Sequence, residues 1–391
     1  MQFLEDIIVV EFSHMVMGPT TGMILADLGA TVVKIEPIGG DKTRSLPGSG
    51  SGYFAMFNRN KQSVCLDLKS DEGKDVVRKL LADADVMIEN FRPGALDRLG
   101  LGFDDVKELN PSIVYQSSKG FLSGPYEDRT ALDEVAQMMG GLAYMTGPTG
   151  RPLRAGSSII DITGGMFGVI GILAALYKRD ADKRGDTGTH VTSSLYETTA
   201  FLVGQHIAQH AVTGNPAPPM PERISAWAVY DVFSALDAQV FVGVVSDGQW
   251  VSFCEEFDLL EWKDNPDFAT NTDRVAERGV IMPRLQSVFA DMQSTDLMMK
   301  LANAGLPYAP IRRPEDLVED DHLTVNGMQD LILPDTGAKI ALPKLPIEMN
   351  GARATLRYDL PHAGADTAMI MKDLGYSDSD IEAMRSATKI N

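Results

Sequence analysis

IIVVEFSHMVMGPTTGMILADLGATVVKIE, residues Ile7 to Glu36, decides the fold class. Its first six residues, Ile7-Ile8-Val9-Val10-Glu11-Phe12, are mostly β-branched and read as a strand. Gly18-Pro19 begins the break before a helix through Met23–Leu28, and Gly29-Ala30 ends that helix. Thr31–Ile35 is a second β-branched strand that finishes at Glu36. Strand, helix and strand in this order form a βαβ unit, the start of a parallel, doubly wound α/β sheet. The alternation continues outward. Gly39–Gly52 reads as a loop, Ser63–Leu68 as a strand, Asp71 to about Ala82 as a helix, and Val86–Glu89 and Ile113–Ser117 as further strands.

Beyond this half, the charge-free Gly164–Tyr177 reads as a buried core helix of 14 residues, too short to span a bilayer. Tyr177–Gly188 is a charged turn, and Val191–Val212 looks helical. Thr213–Pro221 holds four prolines and reads as a linker. Val229–Val245 resembles strands of a smaller α+β unit, with helices near Trp250–Phe257 and Val275–Phe289. The expected organisation is a large domain over 1–200 completed by 330–391, a linker at 201–224, and a small domain over 225–325.

Acidic residues outnumber basic ones 54 to 35, giving a net charge of −19. That balance argues against a nucleic-acid binder and against docking on anionic membranes. It leaves room for a small anionic ligand, because a local cluster of Arg and Lys can dominate one pocket. Cys65 and Cys254 have no metal spacing and suit a reducing cytoplasm. Glu5 and Asp6 interrupt any apolar leader. His206 and His210, four residues apart, lack a following Glu and a third ligand, so no metal is expected. Gly48-Ser49-Gly50-Ser51-Gly52 lacks the Lys-Ser/Thr ending of a phosphate loop, and no Gly-x-Ser-x-Gly elbow occurs.

Two segments carry chemistry. Asp161 stands between the run Ser158-Ile159-Ile160 and the small residues Gly164-Gly165. A carboxylate beside so apolar a segment must be paired, bound to backbone donors, or kept for reaction. Asp161 or Thr163 could equally be a helix N-cap, and sequence physics leaves both readings open. Glu89-Asn90-Phe91-Arg92-Pro93-Gly94 follows a strand end, where open α/β sheets bind ligands. It offers an amide, an aromatic face and a guanidinium, with Arg98 further on, a set suited to a phosphate-bearing nucleotide. The alternative is a capped surface loop with a solvated Arg.

With these segments in place, the chain resembles the class III coenzyme A transferases, the formyl-CoA transferase and carnitine-CoA transferase (CaiB/BaiF) family. The resemblance runs through Met17-Gly18-Pro19, Leu25–Ala30, Val33–Pro37, Gly40–Arg44, Asn58–Ser63, Leu66–Lys69, Glu89–Gly94, Leu99-Gly100 and Gly124-Pro125-Tyr126. It continues through Gly248-Gln249-Trp250, Phe268–Asn271 and Gly305–Pro310. It implies a Rossmann-like large domain, a small domain, and a homodimer whose subunits interlock like chain links. It also implies that Asp161 is the covalent nucleophile and that Asp133 supports it. Coenzyme A would be bound by Val16, Met17, Leu66, Lys69, Asn90, Phe91, Arg92, Arg98 and Arg129. A CoA thioester would then be a substrate, with no cofactor held permanently, and amides near Gly164-Gly165 would stabilise the oxyanion.

The chain departs from that pattern in three places. Arg223–Tyr230 holds none of the glycines that close over the intermediate in the formyl-CoA branch. Pro37 replaces a basic residue, for which Arg44 or Lys42 could compensate. The α-methylacyl-CoA racemases of the same fold share Asp133 but use a His where this chain has Leu132, so the transferase is the better reading. A racemase is the alternative enzyme, and a CoA-binding protein without turnover is the non-enzymatic one. Trp227, Arg223 and Tyr230 suggest a pocket for a short dicarboxylate acceptor such as succinate, mesaconate, itaconate, malate or oxalate.

Overall fold

The computed structural model describes residues 2–182, 188–223 and 225–391. The chain divides into two compact units, one of 1–221 with 321–391 and one of 222–320. The larger unit is built on a six-stranded sheet of β1 (Ile8–Phe12), β2 (Thr31–Glu36), β3 (Lys61–Cys65), β4 (Val86–Glu89), β5 (Val114–Lys119) and β6 (Thr189–Ser194). All neighbours are parallel and the order is 3-2-1-4-5-6. This is the doubly wound Rossmann order, in which the strand sequence reverses between β1 and β4. Val9 pairs with Val32 on one side and Val86 on the other. Both faces are covered: Val10, Phe12, Val33 and Ile35 pack into one core, Val9, Val32, Val86 and Ile88 into another. Burial on both faces is why these strands read as continuous apolar runs.

Helix α1 (Met17–Asp27) follows β1 directly. The expected break at Gly18-Pro19 is instead its first turn. A proline costs nothing there, because the amide it lacks would have no intrahelical partner. Gly22 lets the helix cross the buried Glu11, whose Oε2 would lie 1.8 Å from any Cβ at that position. Helix α2 (Asp71–Ala82) starts on Ser70, whose hydroxyl accepts the Gly73 amide, with Asp71 and Glu72 in its first turn. The edge strand β3 is sealed by the C-terminal segment. Asp366 accepts the Ser63 amide, Thr367 accepts the Cys65 amide, and Leu66 bridges Ile390.

Helix α3 (Asp133–Met139) precedes α4 (Ile159–Ala181). The core helix expected at Gly164–Tyr177 thus extends to 23 residues, and by length and composition alone it could cross a membrane. The length argument against a span therefore does not hold. What the structure shows instead is one face packed on α1 and the sheet. A Cβ at Gly165 would meet the Met17 carbonyl at 2.7 Å, and one at Gly168 would meet Thr21, Gln116 and Ser193. Thr21 Oγ1 donates to the Gly165 carbonyl across this contact.

The expected helix Val191–Val212 is corrected at its start. Residues 189–194 form β6, and α5 (Leu195–Leu202) and α6 (Gly204–Thr213) follow. Part of the stretch read as linker is therefore helical. In the turn expected at Tyr177–Gly188, residues 183–187 lie outside the described residues, as does Ile224. The smaller unit carries an antiparallel sheet of β7 (Tyr230–Ser234), β8 (Gln239–Gly243) and β9 (Tyr308–Pro310). Its core is aromatic, with Trp250 stacked on Trp262 at 6.0 Å and Phe233 edge-on to Phe289.

Candidate active site

The crevice where the strand order reverses is bounded by the loop leaving β1 and the loop leaving β4. Asn90 joins them. Its Oδ1 accepts the His14 amide at 3.0 Å and its Nδ2 donates to the His14 carbonyl at 2.7 Å. Phe91 lies 5.3 Å from the His14 ring, and burial lowers the pKa of that imidazole. The β4 loop is held from below: Glu89 accepts the Phe91 amide and pairs with Lys119, which donates to the Phe91 carbonyl. Val16 and Met17 are buried where α1 begins, and Leu66 is buried after β3. These three therefore offer backbone and apolar contact rather than charge.

The cationic candidates all follow carboxyl ends of strands: Lys69 after β3, Arg92 and Arg98 after β4, Arg129 after β5. Lys69, Arg92 and Arg98 are exposed, and among the described residues their side chains have no ion-pair partner. Arg129 lies over the Tyr126 ring at 4.9 Å. One edge of an acidic protein thus presents uncommitted positive charge, which suits an anionic ligand. Of the residues meant to replace a base at Pro37, Arg44 is already taken. It forks onto Glu36, donates to the Pro361 carbonyl and stacks on Phe54. Lys42 remains exposed.

Asp161 lies at the third position of α4, and its side chain is not a cap. Ser158 holds the cap position without a side-chain bond, and Thr163 bonds back to the Ile159 carbonyl. The orphan amides at this helix start are met from α3. Asp133 Oδ2 accepts from the Ile160 amide at 2.9 Å and from the Asp161 amide at 3.2 Å. Gln137, fully buried, donates to Asp133 Oδ1 and accepts the Ala155 amide, and Arg154 pairs with Glu134 beside it. The capping role considered for Asp161 therefore belongs to Asp133. The half-buried Asp161 carboxyl is left with no hydrogen-bond partner among the described residues. Desolvation first, then the negative Asp133 and Glu134, push its pKa up to about 7, with Arg154 opposing.

The expected oxyanion donors at Gly164-Gly165 are not available. Both residues lie inside the helix, where amides bond carbonyls four residues back, and their missing side chains serve packing on α1. Leu132, at the place of the racemase base, is 60% exposed and offers no proton acceptor.

The sequence pattern of CoA-transferase family III matches residues 4–367. The chain belongs to that family. It is 31% identical to the acetyl-CoA:oxalate CoA-transferase of Acetobacter aceti, covering 92% of this chain and 90% of that protein. It is 30% identical to the succinate–glutarate CoA-transferase of Agrobacterium fabrum, covering 95% of each. A CaiB/BaiF family protein from Brucella suis superposes with a TM-score of 0.84 at 30% identity, over 95% of this chain and 99% of that one.

In this CoA-transferase several residues that the sequence reading passed over prove structurally central. Glu11, Lys34 and Lys61 are buried on adjacent strands, with Lys61 2.8 Å and Lys34 3.5 Å from the Glu11 carboxylate. Burial lowers the Lys61 pKa to about 8 against the pull of Glu11. The signal was present: a charge inside each of two β-branched runs, Glu11 and Lys34, at what proves to be one register position. Gln137 and Arg154 carried no such mark. Arg223, Trp227 and Tyr230 belong to the transferase's smaller unit, where Trp227 packs on Tyr230 and Tyr230 on Phe241. Among the described residues no group of three or more His, Cys, Asp or Glu is placed to hold a metal. His206 bonds neighbouring glutamines.

Proposed function

We propose that this enzyme transfers coenzyme A from an acyl-CoA thioester to a short dicarboxylic acid through a covalent adduct on Asp161. The observation that carries the reading is the Asp161 carboxyl itself, free of side-chain bonds on a backbone clamped by Asp133. The Asp161 carboxylate attacks the thioester carbonyl, forming a mixed anhydride and releasing CoA thiolate. The thiolate attacks the aspartyl carbonyl, which releases the donor acid and leaves an aspartyl-CoA thioester. The acceptor carboxylate attacks that thioester, giving a second anhydride and free thiolate. Attack of the thiolate on the acceptor carbonyl then yields the new acyl-CoA and restores Asp161. Each step exchanges one activated acyl bond for another, so no ATP enters.

The CoA moiety is assigned to the crevice between β1 and β4, with Val16, Met17, Leu66 and Phe91 as its walls. Lys69, Arg92, Arg98 and Arg129 meet its phosphates. Asn90 and Asp133 act by holding backbone. A dicarboxylate acceptor is supported by the names of the two relatives, which act on oxalate and on succinate and glutarate. We further assign the enzyme to the cytoplasm, as a homodimer. The exposed apolar residues Ile170, Tyr177, Phe201, Ile207 and Val212 on α4–α6 supply a face for the second copy.

The test is incubation with succinyl-CoA and a panel of short carboxylic acids, followed by mass spectrometry of the thioesters. New acyl-CoA that disappears in Asp161→Ala is expected. Deuterium entering the α-position of a 2-methylacyl-CoA in heavy water, without exchange onto any acid, would establish the racemase instead.

A further inference from the structure

The loop between β1 and α1 holds Met15 at a φ of 63°, a left-handed conformation that methionine disfavours. The backbone before Val16 is pinned at four points. The Ser13 carbonyl accepts from Lys34 Nζ at 2.6 Å, and Asn90 takes both the amide and the carbonyl of His14. The Met15 amide donates to Thr43 Oγ1 at 3.0 Å. Thr43 is itself buried and fully committed, since its hydroxyl donates to Asp41 Oδ1 at 2.8 Å and its amide to the same oxygen at 2.9 Å. Asp41 closes the circuit on Lys34 at 3.2 Å. Burial alone would raise the Asp41 pKa, yet Lys34 and the Thr43 bonds hold it below the ordinary carboxylate range. One buried ammonium therefore secures the loop from two sides, directly at Ser13 and through Asp41 and Thr43 at Met15.

We propose that Thr43, backed by Asp41 and Lys34, is a positioning residue for coenzyme A. It fixes the Met15 amide and so sets the Val16–Met17 backbone in binding geometry before ligand arrives. This rests on the assignment of CoA to the β1/β4 crevice. A hydroxyl is needed because it must donate to Asp41 and accept from Met15 together; valine keeps the shape and loses both.

Titration with free coenzyme A tests it. Thr43→Val should weaken binding about fivefold to tenfold, the worth of one hydrogen bond to a buried amide. The acyl-CoA KM should rise with kcat nearly unchanged. Thr43→Ser should bind like the wild type. Adding Met15→Gly to Thr43→Val should recover most of the loss, since glycine accepts positive φ freely. Unchanged affinity in Thr43→Val, or a loss that neither serine nor Met15→Gly restores, overturns the proposal while leaving the CoA site standing. A wild type that binds no coenzyme A overturns both. Should Thr43→Val fail to fold, hydrogen exchange of the wild type decides. The Met15 amide is expected to be protected without ligand, and free exchange that slows only on adding coenzyme A would refute a preset loop.

Discussion

At the scale of single residues, Asp161 is held in a state that favours its proton. Its pKa is raised from 3.8 to about 7 by desolvation and by Asp133 and Glu134. As the proposed nucleophile it must be ionised to attack, so kcat/KM for the acyl-CoA donor should climb with pH and level off above about 7. A profile flat from pH 5 to 9 would refute this. The same shift has a thermodynamic side. The folded state binds this proton more tightly than the unfolded chain does. The stability it contributes is full below pH 3.8 and is lost as pH rises through about 7. Asp161→Asn, neutral at every pH, should therefore stabilise the protein at pH 8 by about 1–3 kcal/mol. The gain should shrink toward pH 4, which thermal unfolding at both pH values would show. Lys34→Met should act oppositely. It strands the buried Asp41 carboxylate, while Glu11 keeps Lys61, and should cost about 3–5 kcal/mol in denaturant titration.

At the scale of elements, the start of α4 is organised from outside by α3. Asp133→Ala leaves two buried amides without acceptors and should cost about 1–3 kcal/mol. Exchange activity should fall further than stability does, because the amide lost belongs to Asp161 itself. This arrangement marks where sequence reasoning reached its limit. The strands β1, β2 and β4 were legible from their β-branched runs, and α2 from the alternation of strand and helix around it. Asp161 stood out because nothing nearby could neutralise it. Whether it capped the helix was not legible, since the competing acceptor came from 28 residues earlier. Gly164 and Gly165 were misread for a related reason. A pair of glycines beside a nucleophile suggests open backbone donors, while here they are the absence of side chains that a helix from another part of the chain requires. Gly18-Pro19 misled in the same way, since a helix tolerates both in its first turn.

At the scale of the whole molecule, the proposed homodimer would set exposed apolar residues of α4–α6 against a second copy. Phe201 is 71% exposed, Tyr177 79% and Val212 86%, apolar side chains of the kind a subunit contact covers. Phe201→Asp should shift sedimentation velocity from dimer toward monomer or aggregate, and an unchanged dimer would place the interface elsewhere.

The seal on β3 has a consequence for biosynthesis. The ribosome delivers this edge strand about 300 residues before Asp366 and Thr367, which cover it together with Ile390. Throughout elongation the smaller unit can mature while the sheet stands open along one side, its unpaired amides available to any neighbouring nascent chain. A chain truncated ahead of Asp366 would therefore be a sticky product with β3 unpaired rather than a slightly shortened enzyme.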